Sequence, residues 1–111
     1  MAKNQAITRN LAEAQETTVH NFVPEPDNLI FSLYTEDMPN LASIVTQYFD
    51  GATIYSARGI WRGTSEASAV VEIIAPSTAR QQVIALAKHI KAANHQTAIM
   101  VDERPARMRI L

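Results

Sequence analysis

Two segments in the middle of the chain restrict its fold more than any other feature, because together they predict a β-hairpin. The segments ATIYSARGIW (52–61) and ASAVVEIIA (67–75) are rich in strand-forming residues, and the short RGTSE connection between them contains Gly63. A chain of 111 residues has room for one hydrophobic core of ordinary size. We therefore expect the remaining elements to pack against this hairpin in a single domain.

Before the hairpin, the sequence predicts a strand followed by an amphipathic helix. The segment LIFSLYT (29–35) alternates between two faces, with Phe31 and Leu33 on the same one. From Pro39 onward, apolar residues recur at helical spacing until Gly51 stops the pattern. The recurring residues are Leu41, Ile44, Val45, Tyr48 and Phe49.

After the hairpin, the sequence predicts a second helix and a last strand. Pro76 closes the third strand, and Ser77 is a suitable N-cap for a helix that ends near Asn94. The segment HQTAIMVDE (95–103) predicts the last strand, and Pro105 is expected to interrupt its pairing. The apolar residues expected to be buried are Val83, Leu86, Ala87 and Ile90 in the helix, and Met108, Ile110 and Leu111 in the tail.

The resulting order of elements, βαββαβ, predicts an α+β fold of the ferredoxin-like kind. In such a fold an antiparallel sheet carries both helices on one face, because crossover connections are right-handed. We expect residues 28–111 to form this domain. Residues 1–27 are expected to form a flexible arm, because most of them are polar, they carry mixed charges and they lack an apolar stripe.

The sheet face without helices is predicted to be more apolar than a solvated face needs to be. Ile30, Val70 and Ile74 share this face with Ser68 and Glu72. A homo-oligomer, most simply a ring of three subunits with their sheets turned inward, would bury these side chains. A monomer with a mildly apolar surface is the alternative.

Composition excludes several classes of function. A net charge of -1 provides no cationic field for nucleic acid, and the lack of cysteine excludes disulfides and thiolate chemistry. His20, His89 and His95 are scattered, so no metal site is expected, and the common phosphate-binding and hydrolase motifs do not occur. Without a membrane-length apolar run or a secretory signal, we expect a soluble cytoplasmic protein that does not bind membranes.

The aromatic residues of the hairpin are the first candidates for a binding site. Tyr55 and Trp61 share one face of their strand, and the small Ala57 and Gly59 between them leave space for a flat ring. The alternative is packing against a neighbouring strand, which is the more common role of such residues.

Three polar residues complete the set of candidates. Glu66 lies where the third strand starts, and Gln96 opens the predicted last strand; their ordinary roles would be a solvated acid and an amide bonded to the backbone. Glu72 lies inside an apolar strand, where a carboxylate needs a partner or a solvent-filled inlet. Arg58 or Arg62 on the paired strand could provide that partner.

Taken together, GATIYSARGIWRGTSEASAVVEI (51–73) and NHQTAIMV (94–101) resemble the phage-encoded enzymes that degrade S-adenosylmethionine (SAM), the SAM lyase and SAM hydrolase family. The resemblance covers about residues 29 to 102. It is carried by Glu66 in TSE and by Gln96 in HQTAIMV, and Tyr55 resembles a third member of that family's site.

This resemblance implies a PII-like trimer of ferredoxin-like subunits with substrate sites between them. It also implies cleavage of SAM, as substrate and without a cofactor, to 5′-methylthioadenosine and either homoserine lactone or homoserine. The resemblance further implies that this reaction would exhaust the methyl donor in the host cytoplasm and counter restriction. Tyr55 would then contact the sulfonium, Glu66 the ribose hydroxyls or the sulfonium charge, and Gln96 polar atoms of the substrate. Trp61 would stack on the substrate or form a subunit contact.

Other functions remain open at this stage. Lactone formation ranks above hydrolysis, because hydrolysis would require Glu66 to act as a general base without an evident second group to assist it. A PII-like ring that binds an adenine nucleotide is a non-catalytic alternative, although the five-residue hairpin connection is short for a signalling loop. A small protein that docks a host protein through the open sheet face is a further alternative.

Overall fold

The computed structural model describes residues 28–108, 110 and 111. The predicted N-terminal arm, including His20, lies outside the described residues. The elements are β1 (Asn28–Glu36), α1 (Leu41–Val45), β2 (Thr53–Trp61), β3 (Thr64–Ala75), a 3₁₀ turn (Ser77–Ala79), α2 (Arg80–Ala93) and β4 (Met100–Ala106). The predicted order βαββαβ is therefore the observed one.

The strands form a four-stranded sheet in the order β2-β3-β1-β4, and every neighbouring pair is antiparallel. The long strands β1 and β3 lie in the centre, whereas β2 and β4 form the edges. The prediction of a small α+β domain with an antiparallel sheet and two helices is confirmed. None of the helices in the described part of the chain is long and apolar enough to cross a bilayer.

The hydrophobic core lies between one face of the sheet and both helices. Phe31 and Leu33 in β1 are fully buried and stand opposite Ile73 and Val71 in β3. The helices close this layer with Leu41, Ile44 and Val45 from α1 and Val83, Leu86, Ala87 and Ile90 from α2. Burying each large aliphatic or aromatic side chain contributes roughly 1.5–3 kcal/mol, so this layer dominates the stability of the domain.

Both helices are shorter than predicted: α1 starts two residues after Pro39 and ends well before Gly51, and α2 starts later than predicted. Helix α1 ends at Val45, with Thr46 as its C-cap, because the amides of Gln47 and Tyr48 bond to carbonyls three residues back and tighten the last turn. Tyr48 and Phe49 nevertheless pack against the core as predicted. At α2 the N-cap is Ala79 rather than Ser77, because a 3₁₀ turn over Ser77–Ala79 precedes the helix.

The hairpin connection is two residues long, not five as predicted. Arg62 and Gly63 both have positive φ values, 48° and 82°, as a type I′ turn requires. This turn matches the twist of the flanking strands, so Trp61 pairs directly with Thr64 and the strands continue to the turn. Glu66 is consequently inside β3, opposite Gly59, rather than in a loop.

The last strand begins at Met100, five residues later than its first predicted residue, and it includes Pro105. Pro105 stands opposite Leu29, and an edge strand tolerates proline because the ring's missing N–H can face solvent. The prediction that Pro105 interrupts pairing is wrong. The predicted burial of the tail is also wrong, because Met108, Ile110 and Leu111 are exposed.

Candidate functional site

A notch in the sheet lies where β1 ends beside the longer hairpin. The last pair between β1 and β3 joins Glu36 to Ser68, whereas β2 and β3 stay paired as far as Trp61 and Thr64. Beyond Glu36 the hairpin therefore has no neighbouring β1 strand. The notch has a volume of about 390 Å³, and its lining includes Tyr34, Thr35, Glu36, Ala57, Arg58, Gly59, Glu66, Ser68, Val70 and Gln96.

Glu66 occupies the hairpin side of the notch. Its side chain lies over Gly59, because a Cβ added to Gly59 would be 3.5 Å from Glu66 Cγ and 3.7 Å from Glu66 Oε2. Ser68 Oγ would lie 3.6 Å from the same point. The absence of a side chain at Gly59 therefore leaves the Glu66 carboxylate accessible from the notch.

Gln96 occupies the opposite side, in the connection between α2 and β4. His95, which has a φ of 53°, reverses the chain after the helix, and this places Gln96 in the connection rather than at the start of a strand as predicted. The Gln96 Oε1 atom accepts hydrogen bonds from Thr35 Oγ1 at 2.6 Å and from Asn94 Nδ2 at 2.8 Å. These contacts fix the amide, and Nε2 donates one bond to the carbonyl of Ala98 at 3.3 Å. An amide nitrogen has two hydrogens, so a second donor remains for a ligand.

Tyr55 borders the notch but does not line it. Its backbone stands opposite Val70, which does line the notch, and its ring is about half exposed on the open face. The Tyr55 hydroxyl donates a hydrogen bond to Glu72 Oε1 at 3.1 Å. This bond, the negative charge of Glu72 and partial desolvation raise the pKa of Tyr55 above its ordinary 10.0, so the phenol is neutral at physiological pH.

A row of polar side chains crosses the open face of the sheet. The Arg104 guanidinium donates a hydrogen bond from Nη2 to Ser32 Oγ at 3.1 Å and forms an ion pair with Asp102, with 3.2 Å between Nε and Oδ2. The same Nη2 atom lies 4.0 Å from Glu72 Oε2. We call Tyr55, Glu72, Ser32, Asp102 and Arg104 the open-face row.

The partners of Glu72 differ from the predicted ones. Arg58 stands opposite Ala67 and therefore points to the other face of the sheet, and Arg62 is in the hairpin turn. Tyr55 and Arg104 contact Glu72 instead. The sequence did not indicate Arg104 as a partner. The last strand was predicted to end at Glu103, before Pro105, so Arg104 lay outside the predicted sheet.

Trp61 is separate from the notch. It lies next to the hairpin turn with 67% of its surface exposed, and the guanidinium carbon of Arg62 is 5.3 Å from the ring centroid. This distance is in the range of a cation–π contact. The structure thus brings Glu66 and Gln96 together, places Tyr55 beside them and leaves Trp61 outside.

The histidines of the described region do not gather. His89 Nδ1 and the Tyr48 hydroxyl are 2.9 Å apart, with their rings edge to face, so His89 joins α2 to the segment after α1. His95 is exposed. Across residues 28–108 no three side chains of His, Cys, Asp or Glu form a group that could hold a metal ion.

No family model matches the sequence, and no curated protein matches it. The structure is similar to that of a DUF3240 family protein from Shewanella baltica OS155, with a TM-score of 0.58, 11% identity and coverage of 77% of this chain and 96% of that one. It is also similar to CutA from Synechococcus elongatus PCC7942, with a TM-score of 0.50, 13% identity and coverage of 80% of this chain and 86% of that one. A phage SAM lyase in its apo state matches with a TM-score of 0.48, 15% identity and coverage of 75% of this chain and 85% of that one. At such identities the likeness to the DUF3240 protein and to CutA concerns the fold alone, and it supports the small α+β architecture described above.

Proposed function

We propose that this protein is a SAM-cleaving enzyme whose substrate binds at the notch. One observation carries the proposal: Glu66 and Gln96, the two residues on which the sequence resemblance depends, are thirty positions apart in the chain yet line the same notch. The notch volume of about 390 Å³ is within the usual range of about 300–1,000 Å³ for small-molecule sites. A carboxylate and an amide donor on its two sides suit a ligand that carries hydroxyl groups.

The reaction that we propose requires no protein nucleophile. The substrate carboxylate attacks its own γ-carbon, the carbon–sulfur bond breaks, and the bonding electron pair goes to sulfur. The products are homoserine lactone and the neutral thioether methylthioadenosine, and no proton is transferred. A negative carboxylate and a positive sulfonium both lose their charge, so a site that folds the substrate and excludes water accelerates the step.

The residues around the notch have distinct roles in this proposal. Glu66 accepts hydrogen bonds from the ribose or balances the sulfonium charge, and Gln96 Nε2 donates to a polar atom of the substrate. Tyr55 attracts the sulfonium through its ring face or its hydroxyl oxygen. Trp61, outside the notch, stays a candidate for a contact between subunits.

The proposal also includes a homo-oligomer, most simply a trimer, in which a second subunit covers the notch and the open face. The support for this is the exposure of Tyr34, Ile74 and Met100 on that face. The hairpin argues against the non-catalytic alternative, a PII-like sensor. Its two-residue turn provides no long loop with which such a sensor would contact a partner.

Turnover by the purified full-length protein tests this function. We expect SAM to give methylthioadenosine and homoserine lactone. Chromatography with mass detection, on samples quenched early, measures both products. Glu66→Gln and Gln96→Ala should each lower turnover by about tenfold or more, because each removes a contact that orients the substrate. Homoserine without lactone at the earliest times would favour the hydrolase.

The matched control is Glu103→Gln. Glu103 accepts two hydrogen bonds from Arg80 on the helix side of β4, which lower the pKa of its carboxyl group, and it does not line the notch. The substitution Glu103→Gln makes the same chemical change as Glu66→Gln and should leave turnover unchanged. A wild-type protein that forms no methylthioadenosine at stoichiometric concentration would contradict the proposal.

A further inference from the structure

We propose that Glu72 is a positioning residue: it holds the Tyr55 hydroxyl on the open face, beside the notch, and Arg104 connects this contact to the last strand. The inference rests on the proposed function, which it extends to a residue that does not line the notch. Its basis is the geometry of the open-face row.

Tyr55 needs such a contact because of its place in the sheet. It lies on the edge strand β2, has only β3 as a neighbouring strand, and exposes 48% of its surface. Packing on one side alone leaves an aromatic side chain free to change its rotamer. A hydrogen bond of 3.1 Å from its hydroxyl to Glu72 Oε1 stabilises one orientation of the ring.

Glu72 is itself held in place from the opposite side. It lies in the centre of the sheet, opposite Ser32 in β1 and Thr53 in β2, and 26% of its side chain is exposed. Its second oxygen, Oε2, faces Arg104 Nη2 at 4.0 Å. Arg104 is in turn bound to Asp102 and to Ser32, which is 2% exposed, so the row contacts all four strands.

The direction of the hydrogen bond has a chemical consequence. Because Tyr55 donates its proton to a carboxylate, the lone pairs of its oxygen stay free, and the phenolic oxygen becomes more negative. Such an oxygen suits a sulfonium. Glu72 acts through Tyr55, since the cavity that Glu72 lines is a different one of about 290 Å³, formed with Gly51, Ala52, Thr53 and Ile74.

The test combines the titration of Tyr55 with the kinetics of Glu72→Gln in the full-length protein. Tyrosinate absorbance against pH, with Tyr55→Phe as the reference that removes this one transition, gives the pKa of Tyr55. Glu72→Gln keeps the size and one acceptor oxygen but removes the charge, so the Tyr55 transition should fall toward the ordinary 10.0. Glu72→Asp, which keeps the charge, should restore part of the shift, and Glu103→Gln should leave the transition unchanged.

With SAM as substrate, Glu72→Gln should lower kcat by about tenfold with a smaller change in KM, as expected for a misplaced group in the reacting geometry. An unchanged Tyr55 transition, or a wild-type kcat in Glu72→Gln, would overturn the positioning role while the proposed function stands. Absence of turnover in the wild-type protein would overturn the proposed function and this role with it. This holds even if the titration of Tyr55 shows its hydrogen bond to Glu72. Circular dichroism confirms that each variant is folded.

Discussion

At the scale of single residues, the space in the notch depends on one missing side chain. Gly59 has a φ outside the left-handed range, so its backbone accepts any residue, and a Cβ there would meet its neighbours at ordinary contact distances. Glycine at this position is therefore not a requirement of the strand. It leaves room in front of the Glu66 carboxylate.

This leads to a prediction about Gly59. Gly59→Ala should keep both fold and turnover close to the wild type, whereas Gly59→Leu should fill the notch and abolish SAM binding. Isothermal titration calorimetry with the product methylthioadenosine, which is not consumed, together with thermal melting, separates a blocked site from a damaged strand. Equal affinity in Gly59→Leu and the wild type would show that the ligand does not bind in the notch.

At the scale of elements, the hairpin turn determines where Glu66 lies. Because Arg62 and Gly63 alone make the reversal, every residue from Thr64 onward alternates in register with β2, and Glu66 faces the open side of the sheet with Ser68 and Val70. A longer connection would shift the pairing. A shift of one residue would turn Glu66 away from the notch.

Gly63 should therefore be the glycine whose replacement costs most stability. Gly63→Ala places a side chain at a φ of 82° and should lower the free energy of unfolding by about 1–2 kcal/mol. Gly51→Ala is the matched control, since Gly51 has open space around it and no positive φ, and it should change stability little. Urea denaturation measures both. Equal effects of the two substitutions would argue against the type I′ turn.

At the scale of the whole molecule, the two faces of the sheet differ in how they are covered. The helices bury one face completely at Phe31, Leu33 and Val71. The other face carries the open-face row between partly exposed apolar side chains, Tyr34 and Met100 toward one end and Ile74 toward the other. We expect a second subunit to cover these apolar side chains, because exposed apolar residues gathered on one face commonly mark a contact.

Sedimentation equilibrium should accordingly give a mass three times the 12.3 kDa of one chain. Ile74→Asp places a charge among the apolar residues of the open face and should shift the protein toward the monomer. Gln81→Asp, on the exposed side of α2, makes the same chemical addition away from that face and should leave the mass unchanged. A monomeric wild-type protein would contradict the assembly and would leave the notch open to solvent.

Local patterns determined the order of the elements and the side chains of the core. Phe31 and Leu33 are two residues apart in a strand-forming segment, and Val83, Leu86, Ala87 and Ile90 recur at helical spacing, so each set was predictable as one face of its element. The structure buries all six. These patterns are local because the period of a strand or helix is a property of consecutive residues. The limits of the elements were less predictable: the length of the hairpin turn depends on two backbone angles, and the start of β4 depends on its pairing with β1.

Only the tertiary structure decided which polar side chains meet. Glu66 and Gln96 could be selected from the sequence, but the notch that joins them exists because β1 ends at Glu36 while β3 continues beside it. Arg104 reaches Glu72 because β4 pairs with β1, next to β3, although the two residues are far apart in the chain. The physical reason is the same in both cases: strand order and register bring together residues distant in sequence, and these are set by burial of the whole core rather than by any local pattern.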